Sequence, residues 1–204
     1  MERKDKKTMK GSTLWMALLL PLAAALAACG GGGESPKPQA YLRIDMPQHA
    51  YTRCDTAALP FAFDIGRGAE LSVKKNTGRT VWADINYPQW DGVVFLSHIS
   101  MQGADDLRGQ TDTSSRLLES HYQFTTGIEE QQFADPERRL WATTYRLKGR
   151  NVASTYQFWA TDSSRHFLRG VLYLNQAPNN DSLAPVLEYL QADLDRLVES
   201  LRWR

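Results

Sequence analysis

The segment from Asp162 to His166 reads Asp-Ser-Ser-Arg-His and contains the three residue types of a nucleophilic triad. In a triad a histidine takes the serine proton while a carboxylate orients the imidazole, and the three groups normally come from separated segments. The chain also has no Gly-x-Ser-x-Gly sequence, which forms the nucleophile turn of α/β-hydrolases. Since Asp and Ser are common turn residues, we interpret the segment as a hairpin turn that leads into a strand at His166. We predict no catalytic residue there.

Two pairs of carboxylates could serve as acids and bases or hold a cation. Asp105-Asp106 lies where the N-terminus of a helix is predicted, and acidic side chains there complement the helix dipole. Glu129-Glu130 is expected on a polar strand or loop, and neither pair has calcium-loop spacing. The histidines are not spaced as metal ligands, and the glycines at 30–33 lie outside a strand–turn–helix context; the histidines are His49, His98, His121 and His166. We predict no metal, no cofactor and no enzymatic activity.

The composition excludes several classes of protein. The 204 residues carry 24 basic and 23 acidic side chains, which argues against a nucleic-acid binder. Six Trp, eight Tyr and seven Phe supply core material, so the whole chain is not disordered. Two cysteines cannot build a disulfide-rich scaffold.

The first 28 residues predict an export signal. A basic start is followed by an apolar stretch from Leu14 to Ala28, which is shorter than the ~20 residues that span a bilayer. Leu26-Ala-Ala-Cys29 resembles a bacterial lipobox, which implies that Cys29 is lipidated and becomes the new N-terminus. The alternative is an ordinary secretory signal that contains a cysteine by chance. Lipidation would leave Cys54 without a partner in the chain, as a buried thiol or, alternatively, in an intermolecular disulfide.

Residues 29–39 are predicted to be a tether, because glycines give flexibility and prolines give extended stiffness. We predict one α+β domain over residues 40–204. Its expected strands, from alternating apolar residues and turn signals, are Tyr41–Asp45, Phe61–Ile65, Leu71–Lys75, Val81–Tyr87, Val93–Ile99, Leu140–Lys148, Val152–Ala160 and His166–Asn175. The last three are expected to form an antiparallel meander.

Two helices are predicted, the first over about Ala104–Tyr122. The second, capped by Asp181 or Ser182, has a continuous apolar stripe from Leu183 to Leu201. Its polar side chains are expected on the remaining faces; they are Glu188, Asp193, Asp195, Arg196 and Glu199. The predicted architecture is a sandwich in which helices cover an antiparallel sheet.

Partner binding is expected at two kinds of place. Aromatic side chains that the core leaves outside would form a protein-binding patch. The turn-rich loop 176–182, next to the last predicted strand, is a second candidate, and its alternative interpretation is a helix entry that binds nothing. The candidate residues are Asn175, Pro178, Asn180 and Asp181.

Several segments resemble the gliding motility lipoprotein GldD family. They are PKP (36–38), YLRID (41–45), WADINYP (82–88), NVASTYQF (151–158), TDSSRHFLRG (161–170), LYLN (172–175), PNNDSLAP (178–185) and SLRW (200–203). The resemblance implies a Bacteroidetes envelope lipoprotein that supports gliding and type IX secretion, partly by keeping another lipoprotein, GldJ, stable. It implies no catalytic residues.

The order of elements also resembles the PsbP/Mog1 fold, a likeness of fold that says little about function. No acidic run follows Cys29 as in the surface-export signals of this phylum. The resemblance therefore implies a periplasm-facing anchor, in the inner leaflet of the outer membrane rather than in the inner membrane. The alternative function is a periplasmic ligand-binding protein or hydrolase with a pocket between sheet and helices.

Overall fold

The computed structural model describes residues 45–204, which all belong to one compact unit, Arg43–Arg204. The predicted signal, Cys29, the tether and residues 41–44 of the first predicted strand lie outside the described residues. Asp45, the last residue of that prediction, is not in a strand.

The described chain contains ten strands, two α-helices and two short 3-10 turns. The strands are β1 (Tyr51–Cys54), β2 (Phe61–Gly66), β3 (Glu70–Asn76), β4 (Thr80–Tyr87), β5 (Gly92–Ser100), β6 (Gly127–Asp135), β7 (Leu140–Lys148), β8 (Tyr156–Thr161), β9 (His166–Leu174) and β10 (Arg202–Trp203). The helices are α1 (Ala104–Glu119) and α2 (Asn180–Ser200), and the 3-10 turns are Pro88–Trp90 and Tyr122–Phe124.

Seven strands form one antiparallel sheet in the order β3-β4-β5-β9-β8-β7-β6. The predicted meander is confirmed, since β7, β8 and β9 pair consecutively. A second, three-stranded sheet has the order β1-β2-β10. The predicted α+β class, with helices covering an antiparallel sheet, is also confirmed.

The apolar stripe of α2 explains why this helix covers one face of the large sheet, here called the inner face. Leu190, Leu194 and Val198 are buried there against alternate residues such as Phe158 and Leu168. Burying one such side chain stabilises the fold by about 1.5–3 kcal/mol. Helix α1 lies on the opposite, outer face, where Leu118 packs against Leu147 in a smaller cluster.

Several element predictions were wrong at their edges. No strand bounds were predicted for β1, β6 or β10, although Glu129-Glu130 of β6 was expected on a strand or a loop, and β8 begins at Tyr156 instead of Val152. Val152 is buried with Leu118 and Leu147 on the outer face. Its apolar side chain therefore packs there from a loop and does not mark the start of a strand. Helix α1 ends at Glu119, and α2 begins at Asn180 with Asn179 as the N-cap residue.

Candidate functional site

The segment that resembles a triad is a turn, as predicted. The Asp162 carboxylate is buried and accepts the backbone N–H groups of Ser164, Arg165 and His166 at 3.0, 2.7 and 2.8 Å. Burial alone would raise the pKa of Asp162, but these hydrogen bonds outweigh it and lower the pKa to about 2. The carboxylate therefore holds the β8–β9 turn, and the His166 imidazole points elsewhere.

His166 forms a buried pair with His98 of β5. His98 Nε2 and His166 Nδ1 are 3.0 Å apart, and His98 is 1% exposed. Trp203 of β10 stacks on His166, with ring centroids 5.1 Å apart and planes 6° apart. Burial lowers the pKa of both imidazoles, that of His98 to about 4. The His98 ring is thus neutral at pH 7, and the stacked His166 ring holds Trp203 of the C-terminal strand against the core.

A second cluster surrounds Asp193 of α2, and here the sequence prediction was wrong. Asp193 is 1% exposed instead of solvent-facing, and its Oδ1 lies 2.8 Å from Nδ1 of the partly exposed His49. The His49 ring also stacks on Tyr189 at 4.2 Å. Asp193 lies three residues after Leu190 and four before Leu197, so its spacing already placed it on the apolar stripe.

The electrostatics of Asp193 are dominated by burial, which raises its pKa. The His49 contact and the Tyr51 and Tyr87 hydroxyls oppose this rise. Neither hydroxyl makes a hydrogen bond of normal geometry to Oδ2, which has no partner among the described residues. A carboxylate that orients an imidazole is the arrangement of a general base. However, His49 bonds to no nucleophilic side chain within residues 45–204, so the pair serves to hold the start of the domain on α2.

The predicted loop 176–182 ends earlier than expected, since Asn180 and Asp181 lie in the first turn of α2. Asn175 Nδ2 donates to Asp91 Oδ1 at 3.0 Å, and Asn180 Nδ2 donates to the carbonyl oxygens of Gly149 and Val152 at 2.7 and 3.0 Å. These amides therefore hold neighbouring loops. Their companion Pro178 lines a cavity of only about 10 Å³ between α2 and the sheet.

Asp181 is exposed, and its Oδ2 is 3.8 Å from Arg150 Nε. Asn175 and Pro178 are exposed as well, so three of the four predicted residues are accessible to a partner, and partner binding by this segment stays a prediction.

The outer face of the large sheet displays aromatic side chains beside α1. Trp82 is 40% exposed and Phe95 is 47% exposed. Phe95 and Tyr173 lie on the paired strands β5 and β9 with ring centroids 5.8 Å apart, and Lys75 Nζ lies 5.4 Å from the Trp82 ring. The sequence contained a signal for this patch, because side chains alternate between the two faces along β4 and β5. Ala83 and Leu96 point to the inner core, so their neighbours Trp82 and Phe95 point outward.

Other chemical features are few. Within residues 45–204 no group of three or more His, Cys, Asp or Glu side chains is arranged to hold a metal ion. Cys54 is half-buried, and burial raises the pKa of its thiol, which disfavours the reactive thiolate. No helix in the described part of the chain is both long enough and apolar enough to cross a membrane.

Comparison with known proteins gives one family. Among solved structures, the solution structure of cyanobacterial PsbP (CyanoP) from Synechocystis sp. PCC 6803 aligns at 13% identity with a TM-score of 0.47. The alignment covers 87% of this chain and 99% of that one. No curated protein matches the sequence. The family model described as gliding motility lipoprotein GldD matches residues 32–203. The chain therefore belongs to the GldD family of gliding motility lipoproteins.

Proposed function

We propose that the protein is a non-enzymatic accessory lipoprotein that supports the gliding machinery and type IX secretion through protein–protein contacts. Family membership supplies the link to gliding motility. The observation that carries the contact role is the outer aromatic patch, defined by Trp82, Phe95 and Tyr173. Aromatic side chains dominate the energetics of protein interfaces, because they bury a large area at a small entropic cost.

Cys29 is the proposed membrane anchor. The diacylglyceryl group on its thiol would hold the chain at the membrane, with each buried methylene contributing about 0.8 kcal/mol. The ten residues from Gly30 to Gln39 reach at most ~35 Å when extended. The domain would thus contact partners close to the periplasmic side of its membrane. A GldJ-like lipoprotein, anchored in the same way, is the partner that we propose.

The packing of the sheet on α2 supports the contact role over the alternative of a ligand-binding protein or hydrolase. The alternative needs a pocket with convergent polar groups between these layers. Leu190, Leu194 and Val198 are almost fully buried at this interface, and the spaces beside them are a cavity with room for about one water and a pocket of about 70 Å³. The larger grooves, of about 480 Å³ beside Asp181 and about 430 Å³ beside α1, are open to solvent. The ionisable groups whose pKa is shifted most, at Tyr87, Tyr156 and His98, are packed in the core.

The proposal is tested by crosslinking and affinity capture of the tagged full-length protein from native envelopes. We expect gliding and type IX components to be enriched, and the Cys29→Ala chain to lose them. The double variant Trp82→Ala, Phe95→Ala should lose the same components while staying anchored. Leu117→Ala, which removes an exposed apolar side chain from α1, is the matched control. Undiminished capture by the double variant would contradict the role of the patch.

A further inference from the structure

The two edges of the large sheet are built differently. Edge strands expose unpaired backbone groups, and proteins protect them with bulges, prolines and lysines. Strand β3 has such protection, since its register shifts between Val73 and Lys75, and it carries Lys74 as well. Strand β6 at the other edge has nine residues in uninterrupted register with β7, and it contains no proline and no lysine. The β6 edge therefore lacks the bulge and the lysines that protect β3, and its charged side chains are all acidic.

The free backbone groups of β6 can be assigned from the neighbouring strands. Leu147 donates its amide to the Thr155 carbonyl, on the side of β7 away from β6. Because backbone groups alternate along a strand, those of Arg146 face β6 and its register partner Glu129. The N–H groups on the open side of β6 then belong to Ile128, Glu130, Gln132 and Ala134. Within residues 45–204, no strand pairs with this side.

The charge along this edge is acidic. Three acidic side chains here already have basic partners, in the pairs Glu129–Lys148 and Asp135–Arg138 of β6 and, from α2, Asp195–Arg146. Glu130 of β6 and Glu199 of α2 form no ion pair with any described residue, so this region has an excess of negative charge except near Asp135, which also faces Arg202. A basic strand would be attracted to it, while an acidic one would be repelled.

A small pocket on the inner face lies directly beside the edge. It has a volume of about 70 Å³, with Phe133 and Val198 as apolar walls and Asp195 and Glu199 as acidic ones. A lysine or arginine side chain has a matching division, with an aliphatic stem and a cationic end. Since side chains alternate between the faces of a strand, every second residue of an added strand would point to this face.

We propose that β6 binds an extended, basic segment of a partner protein as an eighth strand of the large sheet. Backbone hydrogen bonds to the four open N–H groups and their carbonyls would supply affinity, and the acidic pocket would select basic side chains. A second copy of this chain fits less well. Pairing β6 with β6 would bring glutamates together, and the lysines of β3 are engaged by Asp84 and Trp82. The inference rests on the proposed contact function and names the partner's chemistry.

The test uses a synthetic peptide of about nine residues in which lysine alternates with valine. Its binding to the full-length protein in detergent micelles is followed by amide hydrogen exchange. We expect slower exchange in residues 127–135 and unchanged exchange in β3. A peptide that alternates glutamate with valine should not protect this segment. No protection of 127–135 by the lysine peptide at millimolar concentration would overturn the proposal.

Two variants test the geometry and the charge separately. Gln132→Pro removes one open N–H, and proline is tolerated where an edge-strand N–H faces solvent. It should weaken peptide binding about tenfold, through the lost hydrogen bond and hindered pairing. Gln132→Thr keeps the N–H and is the matched control. Glu130→Lys should weaken binding about threefold, with a smaller effect at high salt. Thermal unfolding of each variant shows whether it still folds, and equal binding by folded Gln132→Pro would overturn strand addition.

The peptide experiment tests strand addition at β6, and the envelope capture tests the proposed cellular function, so either hypothesis can be wrong without the other. If envelopes yield gliding components but the peptide protects nothing, the contact function stands and strand addition at β6 is wrong. If the peptide protects β6 but envelopes yield no gliding components, the edge is a binding site and the proposed cellular function is wrong.

Discussion

At the scale of single residues, Asp193 shows what spacing predicts and what it does not. Its place between Leu190 and Leu197 put it on the apolar stripe of α2, where a carboxylate needs partners. Those partners could not be read from the sequence, because His49 lies 144 residues away and meets Asp193 only when the domain closes. Gly66 is the third participant, since a Cβ there would lie 2.1 Å from Asp193 Oδ2.

The close approach at Gly66 gives a prediction about stability. Gly66→Ala should lower the free energy of unfolding by about 2–4 kcal/mol, because the new methyl group would displace the buried carboxylate. In an Asp193→Ala background the same change should cost much less. Denaturant unfolding of the four chains measures this coupling. Equal costs in both backgrounds would show that the two residues are not in contact.

The raised pKa of Asp193 gives a prediction about pH. A carboxyl group whose pKa is higher in the folded chain than the ordinary 3.8 binds its proton more tightly when folded. The stability that this tighter proton binding adds to the folded chain is fully present below pH 3.8, and it is lost as the pH rises through the pKa of Asp193 in the folded chain. Asp193→Asn cannot titrate, so its stability relative to the parent should improve as the pH rises above about 4. Parallel urea titrations of both chains across the acidic range would measure the difference, and a constant one would contradict this account.

At the scale of elements, amphipathic patterns predicted the well-covered strands and α2 correctly. Strand β6 was missed because Glu129, Glu130, Gln131 and Gln132 give no apolar alternation. It pairs with β7 because the hairpin brings it there, so context outweighs local propensity. Strand β10 is only two residues long and is defined by its partners Phe61 and Ala62.

The His98–His166 pair makes the stability of the domain, and of β10 in particular, depend on pH. The pKa of His98 falls from the ordinary 6.5 to about 4, so the unfolded chain binds more protons between these values. Stability should therefore fall as the pH drops from 6.5 to 4, by up to about 3 kcal/mol from His98 alone. His166 acts in the same direction. His98→Leu should flatten this dependence in unfolding titrations.

The β10 strand should respond first, since Trp203 stacks directly on His166. Hydrogen exchange of residues 202–203 and Trp fluorescence are expected to report its release on acidification, before the large sheet opens. Simultaneous loss of β10 and the large sheet would show that the histidine pair does not control the C-terminal strand separately.

The first turn of α2 gives a prediction at the same scale. Asp181→Lys should weaken partner capture while the melting temperature stays nearly unchanged, because this side chain is exposed and its Arg150 contact is long. Asn180→Ala should instead lower stability, because it leaves two carbonyl groups without their donor. Capture assays and thermal unfolding of both variants separate the two roles. Unchanged capture by Asp181→Lys would remove the loop as a contact site.

At the scale of the whole molecule, the family could be predicted from motifs spread over the chain. The family model that matches residues 32–203 confirms this prediction. The surfaces proposed to bind partners could not be read in the same way. The exposed aromatic patch depends on where α1 crosses the outer face, and the open β6 edge depends on the order of strands in the sheet. A lipid-anchored domain that presents such surfaces is suited to organise neighbouring envelope proteins.

Photo-crosslinking in living cells tests the central claim most directly. A photoreactive amino acid is placed at Phe95 in the aromatic patch or, as the control, at Leu117 on α1, in the full-length anchored protein. Adducts with a gliding or type IX lipoprotein from position 95, absent from position 117, are the predicted result. Stable, membrane-bound protein that forms no such adduct from position 95 would contradict the contact function and favour the ligand-binding alternative.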